Sequence, residues 1–308
     1  MVAKKLIKSK FKNQVDRNGV VVELEIRKYQ REVFYQNLWN QYPDLVKSRG
    51  AVFIGGKQVV FPMDKCFNYS ENDAGLNLPK DTKVVAYKKL NGFMLNLTHI
   101  TDVGWIVSTT GDATLVGNES TNDFINMGVD YIRKHDGFRK YMDLFHEQEE
   151  VEGVSENTLT LTFEVCHPDD PHIVVEEFGL HPICFQLNGV TVPLDVEGEP
   201  IATTIQGILD EVKNVKHEGF MVYDLDGNLI FKLKSPFYLT KKWVQRGGSK
   251  KVWSGAYKER LDEEYYPIVK YLRANYSRVV WDMLSENDKS EAFLHAYKYT
   301  TEEVKNGT

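Results

Sequence analysis

Tyr87-Lys88-Lys89-Leu90-Asn91-Gly92-Phe93 follows the apolar run Val84-Val85-Ala86 and sets Lys89 three residues ahead of a glycine, with an amide between them. Two readings compete for it. Asn-Gly between alternating apolar residues is a strong short-range hairpin signal, which makes Lys89 a solvated side chain beside a tight turn. A lysine at the end of a strand is also a candidate nucleophile. The rest of the chain has to separate the two.

On the N-terminal side, residues 20–26 are β-branched and partly alternating, which predicts a strand. From Arg31 onward, Phe34, Leu38 and Trp39 share a helical face that ends near Pro43. Residues 51–54 and 58–61 predict short strands around Gly55-Gly56, and a loop from Pro62 to Asn68 leads towards Lys89. On the C-terminal side, 93–97 and 104–108 predict strands after the Asn91-Gly92 turn. Residues 121–135 and 138–145 predict helices, the second with Phe138, Tyr141, Met142 and Phe145 on one face. The acidic stretch 147–156 reads as a solvated connector. Strand-like runs at 159–165 and 173–176 precede a helix that carries Ile205, Ile208, Leu209 and Val212 and is started by Thr203 or Thr204. A hairpin follows, 219–223 with 229–234, turning at Asp226-Gly227. From Ala256 the pattern is helical, with Tyr265, Ile268, Tyr271, Leu272 and Tyr276 at apolar or aromatic positions. The expected class is α+β: antiparallel sheets, then a small C-terminal helical domain without the alternating strands of an OB barrel. The expected boundary divides residues 1–240 from 241–308.

A chain of 308 residues is long enough for one large domain and a small one. Hydrophobic residues at 42% and charged residues at 27% are ordinary for a globular protein. No apolar run is long enough to span a bilayer, and Met1-Val2-Ala3-Lys4-Lys5 opens onto no signal-peptide core. Cys66, Cys166 and Cys184 form no Cys-x-x-Cys pair. A zinc site or a disulfide framework is therefore not expected, and a reducing cytoplasm is. The net charge of −6 argues against a broad electrostatic grip on nucleic acid. Residues 231–251 reverse that locally, with Lys232, Lys234, Lys241, Lys242, Arg246, Lys250 and Lys251 and no acidic residue. Phe237, Tyr238, Trp243 and a Gly247-Gly248-Ser249 turn lie among them, a pattern suited to phosphates and bases.

Three further elements bear on Lys89. Thr160-Leu161-Thr162-Phe163-Glu164 puts a carboxylate at the end of a strand, and His217-Glu218-Gly219-Phe220 puts another at the start of one. Phe231-Lys232-Leu233-Lys234 places both lysines on one side of a strand. Each alone is ordinary: a solvated carboxylate, or an edge strand guarded by lysines. Together, and in this order, they resemble the covalent nucleotidyltransferases, whose lysine amine takes a nucleotide as a phosphoramidate.

The chain resembles most specifically the phage RNA ligase 1 family of ATP-dependent RNA ligases, across roughly residues 19–238. The likeness includes Ser48-Arg49-Gly50-Ala51-Val52-Phe53, Pro62-Met63-Asp64-Lys65-Cys66-Phe67-Asn68 and Lys232-Leu233-Lys234-Ser235-Pro236-Phe237-Tyr238. The resemblance implies an antiparallel-sheet nucleotidyltransferase domain, ATP as donor with covalent AMP on Lys89, Mg²⁺ or Mn²⁺, and single-stranded RNA ends as substrate in RNA repair. It implies catalytic roles for Lys89, Glu164, Glu218, Lys232 and Lys234, with the two glutamates at the metal or, alternatively, Glu164 at the ribose. Arg49, Lys65, Phe67, Lys88, Asn91, Gly92 and Tyr238 would bind the nucleotide. Two departures stand out: Asn91 replaces the family's usual aspartate, and Thr110-Gly111 stands where a lysine-glycine pair is usual. The alternatives are a DNA ligase or capping guanylyltransferase, both usually carrying an OB-type domain, and a catalytically silent RNA-end-binding protein.

The chemistry sets a requirement. An unperturbed lysine has a pKa of about 10.4, so a neutral Lys89 at pH 7 costs about 4.6 kcal/mol. Neighbouring cations (Lys232, Lys234 and a metal ion) would lower that cost by repulsion and would stabilise charge developing on the α-phosphate. For Glu218 to share a face with these lysines, alternation through the hairpin requires an odd loop or an equivalent bulge, pairing Lys232 with Val222 instead of Met221.

Overall fold

The computed structural model describes residues 3–136, 138, 139, 141, 158–192 and 199–306. The chain divides into two compact units. The first comprises Met1–Val33, Leu38–Lys65 and Asn91–Glu197; the second comprises Phe34–Asn37, Cys66–Leu90 and Gly198–Thr308.

The first unit holds two antiparallel sheets. Strands β1 (Ile7–Val15), β2 (Val21–Tyr29), β3 (Arg49–Ile54) and β4 (Lys57–Val60) lie side by side in chain order. The other sheet is built from β6 (Phe93–Ile100), β7 (Gly104–Ser108), β8 (Ala113–Leu115), β9 (Leu159–Cys166), β10 (Gly179–Leu187) and β11 (Val190–Val192). Its order is β11-β10-β9-β6-β7-β8. Leu24, Ile26, Val52 and Val60 of the first sheet form one core with Ile106, Ala113 and Leu115 of the second. Leu95, Leu97, Leu161, Phe163 and Val165 form another with Ile125 of the helix Asp123–Tyr131. Asn122 caps that helix by accepting from the Ile125 N–H.

In the second unit β5 (Lys83–Lys89), β12 (Ile201–Thr204), β13 (Gly219–Tyr223) and β14 (Leu229–Lys234) form a sheet of order β12-β5-β13-β14. Val84, Ala86, Phe220, Val222, Phe231 and Leu233 alternate onto one face and bury against Ile205, Ile208 and Val212. The helix Ile205–Glu211 is capped by Thr204, of the two threonines proposed for the role. After β14 the described residues form helices and turns only, the longer ones being Pro236–Gln245, Tyr266–Asn275 and Glu286–Asn306. Trp243, Tyr265 and Phe293 pack there as a buried aromatic cluster. This architecture is the expected α+β class.

Several local expectations change. The helix expected after Arg31 is one turn, Glu32–Tyr35, because Asn37 takes a left-handed backbone, φ +50°, that ends it. Residues 173–176 belong to no strand; the Val174 N–H goes instead to the Asn91 side chain. Asn91-Gly92 closes no hairpin, since β5 and β6 belong to different sheets. The predicted helix 121–135 is the α-helix Asp123–Tyr131 continued by a π-helical turn, Ile132–Asp136. Of the helix expected at 138–145, Met142 and Phe145 lie outside the described residues, as does the connector 147–156.

Candidate active site

Register decides which side chains meet in the second unit. β5, β13 and β14 align Lys89 with Gly219 and Gly219 with Lys234, and in the next row Tyr87 with Met221 and Met221 with Lys232. Cross-strand partners share a face, so Lys89, Lys232 and Lys234 lie on one side of the sheet. Lys88 pairs with Phe220 on the opposite face, where it is exposed.

Glu218 joins the lysine side by a route other than loop parity. Lys232 pairs with Met221, not with Val222, and the irregularity lies farther on, at Val222/Tyr223. The expected Val222 pairing is therefore wrong. Gly219 reorients the chain instead: its φ is +143°, and a Cβ there would meet the Leu233 carbonyl oxygen at 1.9 Å. Strict alternation is broken at this residue. The buried Glu218 carboxylate lies with its Oε2 3.0 Å from Lys89 Nζ. Burial alone would raise its pKa, but Lys89 and Lys234 outweigh that and hold it below the usual carboxylate range. The surroundings of Lys89 thus include a carboxylate in contact, not only the cations expected.

Lys234 is paired as well. Its Nζ donates to Glu264 Oε1 at 2.7 Å. Phe67 runs beside β14, where its carbonyl accepts from the Lys232 N–H at 2.9 Å. Tyr238 is buried on the helix Pro236–Gln245, capped by Ser235, and Lys234 Nζ lies 5.8 Å from its ring centroid. Tyr238 and Trp243 are 4% and 2% exposed, and Lys242 is ion-paired with Asp262 and Glu264. The stretch 231–251 therefore does not offer those two rings for stacking, contrary to the sequence expectation. Phe237, at 40% exposure, remains open.

The first unit carries the other candidates. Arg49 Nη1 donates to the Asp64 carbonyl at 3.2 Å, and Lys65, buried, lies with its Nζ 5.3 Å from the Trp39 ring centroid. Asn91 is buried, and its Oδ1 accepts from the Val174 N–H at 2.9 Å. The Gly92 N–H donates to Glu164 Oε1 at 2.9 Å, and a Cβ on Gly92 would sit 2.1 Å from the Val165 carbonyl oxygen. Gly92 is thus required for a close approach to β9, not for a turn.

Sequence reasoning missed two residues. Glu264 had no signal beyond the acidic run Asp262-Glu263-Glu264. Lys28 stands in a cross-strand row, Lys8–Lys28–Arg49, and its Nζ lies 3.9 Å from where a Gly111 Cβ would be. A cation thus stands beside Thr110-Gly111, where the sequence lacks one. Burial, then Arg49, Arg31 and Lys8, lower the Lys28 pKa.

Among the described residues no group of three or more His, Cys, Asp or Glu side chains is placed to hold a metal, and no helix is long and apolar enough to cross a membrane. The fold is similar to that of an archaeal ATP-dependent RNA ligase, form 1, with a TM-score of 0.52 at 11% identity over 96% of this chain and 75% of that one. A putative ATP-dependent DNA ligase from Aquifex aeolicus gives 0.51 at 13% identity over 98% and 76%. No protein-family model matches the sequence, and neither does any curated protein. An α+β fold is what these two ligases share with the chain.

Proposed function

We propose that the protein is an ATP-dependent RNA ligase of the phage RNA ligase 1 type, acting in RNA repair. The observation that carries the reading is the row Lys89–Gly219–Lys234 with the Glu218 carboxylate turned into it. Lys89 Nζ, having given up a proton, attacks the α-phosphorus of ATP. A P–N bond forms, the bond to the bridging oxygen of pyrophosphate breaks, and AMP remains on the lysine. The AMP then passes to an RNA 5′-phosphate, and a 3′-hydroxyl displaces it to seal the strand. Lys232 and Lys234 neutralise charge on the transferring phosphate. Arg49 and Lys65 orient the β- and γ-phosphates. Phe67, Lys88, Asn91, Gly92 and Tyr238 complete the nucleotide set that the resemblance assigns, although Lys88 faces away from Lys89, Asn91 is engaged with Val174 and the Tyr238 ring is buried.

Glu164 and Glu218 are the carboxylates assigned to Mg²⁺ or Mn²⁺. Each is held by a protein donor, Gly92 N–H on the first and Lys89 on the second. A magnesium ion keeps much of its water shell, so each carboxylate would meet it through water and not as part of a closed protein cage. When bound, the metal would neutralise phosphate charge. In this reading residues 1–240 are the nucleotidyltransferase domain, 241–308 a small helical domain, and the protein works in the cytoplasm.

The test is incubation with α-labelled ATP and Mg²⁺, followed by 5′-phosphorylated single-stranded RNA, single-stranded DNA and a nicked DNA duplex in parallel. Acid-labile protein–AMP and preferred sealing of RNA are expected. Labelling by GTP alone, preferred sealing of the nicked duplex, or no covalent AMP rejects the assignment.

A further inference from the structure

Lys234 is held from the helical part of the chain. Glu264 Oε1 accepts from Lys234 Nζ at 2.7 Å and from Lys242 Nζ at 3.1 Å, and Lys242 also meets Asp262. The Lys234, Lys242 and Glu264 side chains are 11%, 8% and 6% exposed. Glu264 lies in the turn Glu263–Tyr265, immediately before the helix Tyr266–Asn275. That turn is fixed on both sides. Tyr265 donates to the Leu239 carbonyl at 3.1 Å and packs against Trp243, while Ile268, Val269 and Leu272 anchor the following helix in the core. The Glu264 carboxylate is thereby aimed at the last residue of β14. An ammonium group at such a place is costly to bury without a partner.

We infer that Glu264 is a positioning residue for Lys234, holding its ammonium group beside Glu218 for nucleotide transfer at Lys89. The inference rests on the proposed function and adds to it a role for the helical segment. The groups acting on Lys234 are Glu264, Glu218 and the Tyr238 phenol, with Lys242 as the nearby like charge. Lys232, Asp262 and Tyr265 act on the same network. Burial pushes Lys234 down, but Glu264 and Glu218 outweigh it and hold it well above the ordinary lysine value. Lys234 thus keeps its proton at alkaline pH. Without the Glu264 charge its pKa falls, and the proton is lost as pH rises.

The experiment measures the initial rate of protein–AMP formation against pH in the full chain. Glu264→Gln is compared with Glu264→Asp and with Asp262→Asn, which leaves the Lys234–Glu264 bond intact. In Glu264→Gln the variant-to-wild-type rate ratio should fall with rising pH, by about tenfold per unit once the lowered Lys234 pKa is passed. Glu264→Asp should restore the wild-type pH dependence at a reduced rate, and Asp262→Asn should keep it. If Glu264→Gln does not fold, Glu264→Gln/Lys242→Met removes one charge of each sign and carries the same expectation. A ratio independent of pH, with wild type labelled normally, overturns this role for Glu264 alone. A wild type that acquires no AMP overturns the functional reading together with it.

Discussion

Lys88 and Lys89 are neighbours in the chain, yet the pleat sends them to opposite faces of β5, one exposed and the other against Glu218. Lys89→Ala should abolish protein–AMP formation, while Lys88→Ala should leave much of it; the reverse pattern would identify the wrong lysine. Glu218 reaches the same face through one residue. Gly219 is the position where alternation breaks, and its φ of +143° and its approach to the Leu233 carbonyl exclude any side chain. Gly219→Ala should therefore cost more than about 2 kcal/mol. It should also release Glu218 from Lys89, so that both the urea midpoint and the rate of labelling drop. An alanine variant of wild-type stability would show that Gly219 is not the pivot. The sequence displays the glycine but not its conformation, so alternation alone points to the hairpin loop for a turn of the chain that Gly219 makes.

The strands around Lys89, each with one buried face, were legible, and an exposed edge strand was not. The alternation of β5, β13 and β14 shows in Val84, Ala86, Phe220, Val222, Phe231 and Leu233. In contrast, β1 reads Ile-Lys-Ser-Lys-Phe-Lys-Asn-Gln-Val with solvent at most positions, so its pairing with β2 leaves no periodic apolar trace. The stretch around Trp243 misled for a related reason. Composition reports lysines and rings but not which ones the following helices cover, and Glu264, the residue that occupies Lys234 and Lys242, lies thirty positions after Lys234. That long-range network has a pH signature. Burial opposes the charge on Glu218 and Glu264, but Lys89 acts on the first and Lys234 and Lys242 on both, holding each below the ordinary glutamate value of 4.5. Carboxylates depressed in this way stabilise the fold above that value, and the contribution is lost as pH falls through their folded-state values. The melting temperature of the wild type should therefore drop on acidification below about pH 4.5. Glu264→Gln should start lower at neutral pH and depend less on acid. Equal acid limbs for the two proteins, measured between about pH 3 and pH 7, would mean that the network does not carry the effect.

Across the whole molecule, charge constrains how the proposed RNA substrate can be held. The net charge is −6, and the basic stretch 231–251 is only partly available, since Lys234 and Lys242 are bound to Glu264. Lys241, Arg246 and Lys250 are exposed and Lys251 partly so. A single strand contributes a slope of about −0.7 in log K against log salt for each phosphate neutralised. If these four side chains are the principal phosphate contacts, binding of 5′-phosphorylated single-stranded RNA should show a slope near −3. Lys241→Gln combined with Arg246→Gln should reduce its magnitude by about 1.4 without altering protein–AMP formation, because neither residue belongs to the proposed transfer machinery. Titrations across about 50–200 mM salt decide the matter. A slope steeper than about −6 would require a wide basic footprint elsewhere on the surface, and an unchanged slope in the double variant would remove this stretch from the RNA path.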